Sequence, residues 1–159
     1  MSSSIRLAAG KDYIGVGVGA VVLNDLGEVL LILRRKEPEA DKWTIPGGAV
    51  EWFEKCADAI KRECLEEVGL TVEIVRTLTV VDHIVPDDSS HWVSIEYLVE
   101  IVSGTAGNYS SQENADMKWF PLDALPAALT QPTREALGSY TRLLPGDVMR
   151  GQGCAEPLP

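Results

Sequence analysis

An α/β sandwich, with a mixed β-sheet held between helices, is the fold class this chain predicts. Three observations predict it. β-type segments lie on both sides of a single amphipathic helix at residues 54–68, helical patterns close the chain, and strict strand–helix–strand alternation is missing. The last point disfavours a doubly wound dinucleotide-binding fold. The glycine-rich GVGVGA at 15–20 does not change this: it lacks GxGxxG spacing ahead of a helix and reads as closely packed strand glycines.

Each element follows in order. Residues 13–24 (YIGVGVGAVVLN) interleave glycine with apolar residues and end at NDLGE, a strand and a turn. VLLILRR (29–35) is a second strand, expected to fold back on the first as a hairpin. After the exposed loop EPEADK, WTIPGGAVEWF (43–53) gives a short strand, a Pro-Gly-Gly turn and another short extended piece. The helix over 54–68 sets Ala57, Ile60, Cys64 and Val68 on one apolar arc, with Glu63, Glu66 and Glu67 on the neighbouring arc and Gly69 as its stop. TVEIVRTLTVVDHIV (71–85) and HWVSIEYLVEIV (91–102) are strands joined by the turn PDDSS, which His83 and His91 flank. A polar loop leads to a last short strand, MKWFPL (117–122). LDALPAAL and QPTREALGSYTRLL read as helices, the second with Pro132 in its first turn. Residues 13–145 are read as one domain, 1–12 as an N-terminal extension and 146–159 as a loosely structured tail.

Composition limits the function. The chain has 159 residues and 45% hydrophobic content, enough for one sizeable core. No run nears the ~18 apolar residues of a membrane span, and MSSSIRLAAGKDY does not have the form of a signal peptide. A soluble, cytoplasmic protein is the expectation. A net charge of −10, from 24 acidic and 14 basic residues, repels nucleic acid and anionic membranes, so neither is expected as a partner. The same charge repels a phosphorylated substrate unless cations intervene. Cys56, Cys64 and Cys154 form no CxxC pair. The first two lie roughly 12 Å apart along one helix, too far to bridge, which fits a reducing compartment.

The sequence RECLEEVGL (62–70) poses the sharpest question. Glu63, Glu66 and Glu67 are helical neighbours, where like charges repel by roughly 0.2–0.5 kcal/mol per pair. A solvated face is the ordinary explanation. Against it stand the preceding Pro-Gly-Gly turn, whose carbonyls no side chain covers, the further carboxylates Glu51 and Glu54, and Arg62, whose guanidinium can hold a carboxylate by a directional fork. Clustered carboxylates with open carbonyls are hard oxygen donors suited to Mg²⁺ or Mn²⁺. Such an ion would turn the repulsion into attraction and reverse the local field for a diphosphate.

These residues resemble the Nudix box, G-x5-E-x7-R-E-U-x-E-E-x-G-U, where U is aliphatic. Gly48, Glu54, Arg62, Glu63, Glu66, Glu67 and Gly69 match its fixed positions at full spacing. Cys64 stands at an aliphatic position, and Phe53 where a glycine is frequent in the family. WTIPGG and MKWFPLDALP carry the resemblance over most of residues 13–143. It implies a Nudix-type α/β/α sandwich and a metal-dependent hydrolase of a nucleoside diphosphate linked to another moiety. Carried over by position, Glu63, Glu66 and Glu67 are metal ligands and one of them a candidate general base. The carbonyl of Gly47 or Gly48 would complete the shell, and Arg62 would orient Glu54 or Glu63. The alternative is a base outside the box, Glu113 or Asp116; Glu113 is also a candidate metal ligand and Asp116 a candidate substrate contact.

Candidate substrate contacts are Arg34 and Arg35 for phosphate, and Trp52, Phe53, Trp92 and Tyr97 for a base, with plain packing as the competing reading for the aromatics. The substrate stays open between a nucleoside triphosphate, ADP-ribose and a nucleotide sugar. Pro86, 16 residues beyond Leu70, lies near a position associated with ADP-ribose-cleaving members. A homodimer is common in the family. A non-catalytic ligand sensor is the alternative class. Such domains usually lose box glutamates, and this chain keeps them all.

Overall fold

The computed structural model describes residues 7–144. Its elements are β1 (Gly15–Val22), β2 (Val29–Arg34), β3 (Trp43–Thr44), β4 (Gly47–Ala49), α1 (Cys56–Val68), β5 (Leu70–Val85), β6 (Ser90–Gly104), β7 (Asn114–Phe120) and α2 (Gln131–Thr141), with a 3₁₀ turn at Pro86–Asp88. The strands make a mixed four-stranded sheet, β4-β1-β6-β5, and a three-stranded sheet, β3-β2-β7. Among these strands, only β1 and β6 pair with each other in parallel.

Period-two alternation in β1 divides the interior. Val18, Ala20 and Val22 join Ile60, Cys64 and Val68 of α1 in one core, while Val21 points the other way, with Leu129, Ala136 and Leu137 from around α2. β2 repeats the division, Leu30 and Ile32 against Val29 and Leu31. Strands buried on both faces explain the near-continuous apolar runs VLLIL and GAVV. Each fully buried Leu or Ile contributes about 1.5–3 kcal/mol.

Four expectations need correcting. β1 and β2 do not form a hairpin. The two edges of β1 are taken by β4 and β6, so β2 enters the other sheet and the two meet only at a Leu23–Val29 bridge. LDALPAAL is not a helix. Pro126 supplies no amide hydrogen and blocks the preceding turn, and the segment instead reaches a parallel bridge between Leu129 and Trp43. The last strand starts at Asn114 rather than 117, because a bulge between Leu33 and Arg34 lets Asn114 pair with Arg34. The buried face of α1 holds Ala59, Ile60, Cys64, Glu67 and Val68, with Ala57 only half-buried.

The helix stop is as expected. Gly69 sits at φ 71°, and its N–H reaches the carbonyls of Cys64 and Leu65. Tail residues 146–159, with Cys154, lie outside the described residues, as do residues 1–6.

Candidate active site

Arg62 is the hub of the site. Its Nε and Nη2 donate to Glu54 Oε1 and Oε2 at 2.8 and 3.0 Å, a two-pronged fork. Nη1 donates to Glu63 Oε1 at 2.8 Å and to Glu66 Oε2 at 3.2 Å, and Nη2 also reaches the Ala49 carbonyl at 3.1 Å. Glu54 accepts the Glu51 N–H as well, at 2.9 Å. One guanidinium therefore ties α1 to the end of β4 and neutralises part of the helix's own repulsion. Its hydrogen bonds hold the Glu54 carboxyl down at about 2, and Glu54 in turn raises the Arg62 pKa.

The three box glutamates differ in environment. Glu66 is the open one, with its side chain 58% exposed against 14% for Glu63. Glu67 is buried beneath them; its Oε2 accepts the Gly47 N–H at 2.9 Å, and Oε1 lies 3.5 Å from Asn114 Nδ2. Burial pushes Glu67 up to about 7 despite both donors, and burial also raises Glu63 against the pull of Arg62. Cys64 lies in the core behind them, its thiol pushed up to about 12 by burial, so it is a packing residue rather than a nucleophile.

The donor chemistry fits a hard divalent cation: carboxylate oxygens of Glu63, Glu66 and Glu67 beside the Gly47–Gly48 backbone. The fit also shows in Gly48, where any Cβ would fall on the Glu63 carboxylate, so glycine keeps that carboxylate against the β4 backbone. Among the described residues, no three acidic, His or Cys side chains already stand in a cation geometry. The salt bridges give the reason: Arg62 holds Glu63 and Glu66, and these would have to turn from it.

Beside the cluster opens a cavity of about 340 Å³, with Gly47, Gly48, Glu67, Glu113, Asn114 and Arg34 in its lining. Glu113 stands in the loop before β7 and pairs with Lys36 Nζ at 2.6 Å. Several expected contacts are elsewhere. Arg35 is exposed, its Nε on the Ser111 carbonyl; it is Arg34 that lines the cavity. Asp116 lies within β7 and pairs with Lys118 at 2.7 Å. Trp52 and Phe53 neither pack beneath the loop nor line the cavity; they are 87% and 97% exposed, edge to face with each other, and Phe53 has φ 65°. Tyr97 belongs to the α1 core, whereas Trp92 lines the cavity.

Residues that sequence reasoning passed over are Asn114, Ser94 and Glu96; His83, read there as flanking a turn, lies 3.0 Å from Glu39 at the cavity wall. Glu96 left one trace, a lone charge inside the apolar strand VSIEYLV. Asn114 left none.

Comparison with known proteins gives the same outline. A family model described as the NUDIX domain matches residues 14–140. The crystal structure of a MutT NUDIX hydrolase from Burkholderia pseudomallei matches with 41% identity and a TM-score of 0.72, covering 79% of this chain and 96% of that one. Mouse 8-oxo-dGDP phosphatase NUDT18 is 30% identical over 127 residues, 79% of this chain and 37% of that protein. The ADP-ribose pyrophosphatase of Methanocaldococcus jannaschii is 29% identical over 111 residues, 70% of this chain and 64% of that protein. The chain thus spans between about a third and two thirds of the length of these curated relatives.

Proposed function

The chain belongs to the NUDIX family, and from that premise we propose that it is a divalent-metal-dependent pyrophosphohydrolase. Its substrate would be a nucleoside diphosphate linked to a further group, cleaved by attack of water on phosphorus. One observation carries the reading: Glu67, which follows the Arg62-held Glu63 and Glu66 on α1, lines a cavity of about 340 Å³ that also takes in Gly47 and Gly48.

Glu63, Glu66 and Glu67, with a carbonyl of Gly47 or Gly48 and Glu113 nearby, would hold Mg²⁺ or Mn²⁺. The ion supplies Lewis acidity toward water and charge neutralisation on the phosphates. The protein's residues do the rest. Arg62 fixes Glu54 and through it the start of α1, so the carboxylates meet the substrate from a rigid base. Glu67 is the box carboxyl that lines the cavity, with Gly47 N–H and Asn114 holding its orientation, which suits it to take and return a proton there. Arg34 and Lys36 at the cavity offset the −10 charge that an anionic substrate meets.

The mouse and archaeal relatives are named for 8-oxo-dGDP and ADP-ribose, which supports a nucleotide substrate without choosing between them. Phosphate release tests the reading. The panel is nucleoside triphosphates, ADP-ribose, dinucleoside polyphosphates and nucleotide sugars, with Mg²⁺, Mn²⁺ or chelator, and added phosphatase where a monophosphate is the product. Turnover that requires the metal is expected. Turnover untouched by chelator overturns the mechanism, and nucleotide binding without turnover favours the sensor class.

A further inference from the structure

We propose that Glu96 reads the base of the substrate, and that the base it selects carries two adjacent N–H donors, the guanine type of edge. This rests on the nucleotide reading above and adds a specificity-determining residue to it.

Glu96 is fully buried in β6, and neither of its carboxylate oxygens has a hydrogen-bond partner among the described residues. A buried carboxyl left without partners is costly, and native interiors avoid it unless something else occupies the site. The Glu96 side chain lies in the wall of the same cavity that Gly47, Gly48 and Glu67 border.

The strand beside it is built to leave it room. β1 sets Gly15, Gly17 and Gly19 opposite Trp92, Ser94 and Glu96 in parallel register. A Cβ on Gly19 would fall on Glu96 Oε2, and one on Gly15 would fall within the Trp92 indole. The alternate glycines of GVGVG thus form a smooth floor on which an aromatic, a hydroxyl and a carboxyl lie side by side. Gly19 also pairs with Gly47 on its other edge. Strands lie roughly 4.8 Å apart, so Glu96 and the Gly47 backbone are separated by about 10 Å across the sheet, a span that a nucleoside bridges between phosphate and base edge.

The chemistry then chooses the base. Two unpartnered carboxylate oxygens form an acceptor pair. Guanine, oxidised at C8 or not, answers with N1–H and the exocyclic amine. Adenine, cytosine and thymine each present at most one such donor beside an acceptor on that edge. A site built to hydrogen-bond one edge rejects ligands that leave its buried groups unpaired.

Calorimetric titration of the full chain with GMP, AMP, CMP and UMP in Mg²⁺ buffer tests this. Thermal melts of each variant would establish folding, and kcat/KM for GTP against ATP would be measured in parallel. Wild type should prefer GMP. Glu96→Gln, nearly isosteric, presents one donor and one acceptor; it should lose about tenfold or more in GMP affinity and in the GTP-to-ATP ratio. Gly19→Ala, which displaces the carboxyl without altering it, should lose the same preference. Equal GMP affinity in Glu96→Gln, no preference for GMP in wild type, or no mononucleotide binding overturns the inference. Loss of hydrolysis with a Glu96-dependent GMP preference intact would refute the pyrophosphohydrolase and leave this assignment standing. Metal-dependent hydrolysis indifferent to the base would do the reverse.

Discussion

The Arg62 cluster beside the cavity and the Glu96 recess in its wall hold their carboxylates in opposite ways. Around Arg62 every prong of a guanidinium is engaged, and Glu54 is held down at about 2. In the recess neither oxygen of a buried carboxyl makes a hydrogen bond of good geometry, only the Ser94 hydroxyl stands near, and burial pushes the group up to about 7. The first arrangement is complete within the protein and stiff. The second is incomplete until something else enters. A group already satisfied by its own chain is suited to positioning, and one left unsatisfied is suited to selecting.

Changes to the charges test that contrast, beginning with the largest effect. Glu67→Gln keeps an acceptor for the Gly47 N–H and removes the charge. Metal-dependent turnover should fall about 10²–10⁴-fold while the melting temperature holds or rises. A fall in turnover matched by unfolding would instead make Glu67 a structural residue.

Next comes Glu96→Gln in the ligand-free protein. Burial, with Glu135 adding to it, raises the folded pKa of Glu96 from 4.5 to about 7 against the weaker pull of Ser94 and His83. The folded chain therefore holds the proton more tightly than the unfolded chain. The stability this brings is complete below about pH 4.5 and lost as pH rises through about 7. Relative to Glu96→Gln, wild type should lose about 3 kcal/mol on going from about pH 4.5 to 8, measured by urea unfolding. Parallel stability curves would mean that the recess already satisfies its carboxyl.

Arg62→Lys keeps the charge and discards the fork. Activity should drop about 10–100-fold, the usual cost of disturbing a residue that orients metal ligands. Full activity in this variant would show that charge alone organises the cluster.

The smallest effect concerns Phe53, exposed and held at φ 65°. Phe53→Gly should raise stability by about 1 kcal/mol, because glycine enters the left-handed region without a Cβ penalty. A destabilised Phe53→Gly would show that its edge-to-face contact with Trp52 outweighs the strain.

The two regions also differ in how far the sequence reveals them. Gly48 to Gly69 is one continuous stretch, and helix periodicity alone brings Glu63, Glu66 and Glu67 together with Arg62, so the cluster is legible in the order of its residues. What periodicity misses is depth. Glu67 shares a helical turn with its neighbours yet is buried, because the face of α1 is centred on Ala59, Ile60 and Cys64. The recess draws on β1 and β6, some 75 residues apart, joined by parallel register that no local pattern encodes. Its trace, glycines at every second position of β1, has the form of ordinary close packing, and only the side chains opposite give it another meaning. The hairpin expected between β1 and β2 fails for the same reason: which strands take the edges of β1 is decided by pairings distant in sequence.

We propose that the helix glutamates form a cation site and not merely a salt-bridged scaffold. Titration with Mn²⁺ followed by electron paramagnetic resonance measures that directly and needs no knowledge of the substrate. Wild type should bind Mn²⁺ with an affinity that falls about tenfold or more in both Glu63→Gln and Glu67→Gln. Unchanged Mn²⁺ affinity in both variants would rule out a cation site on these glutamates.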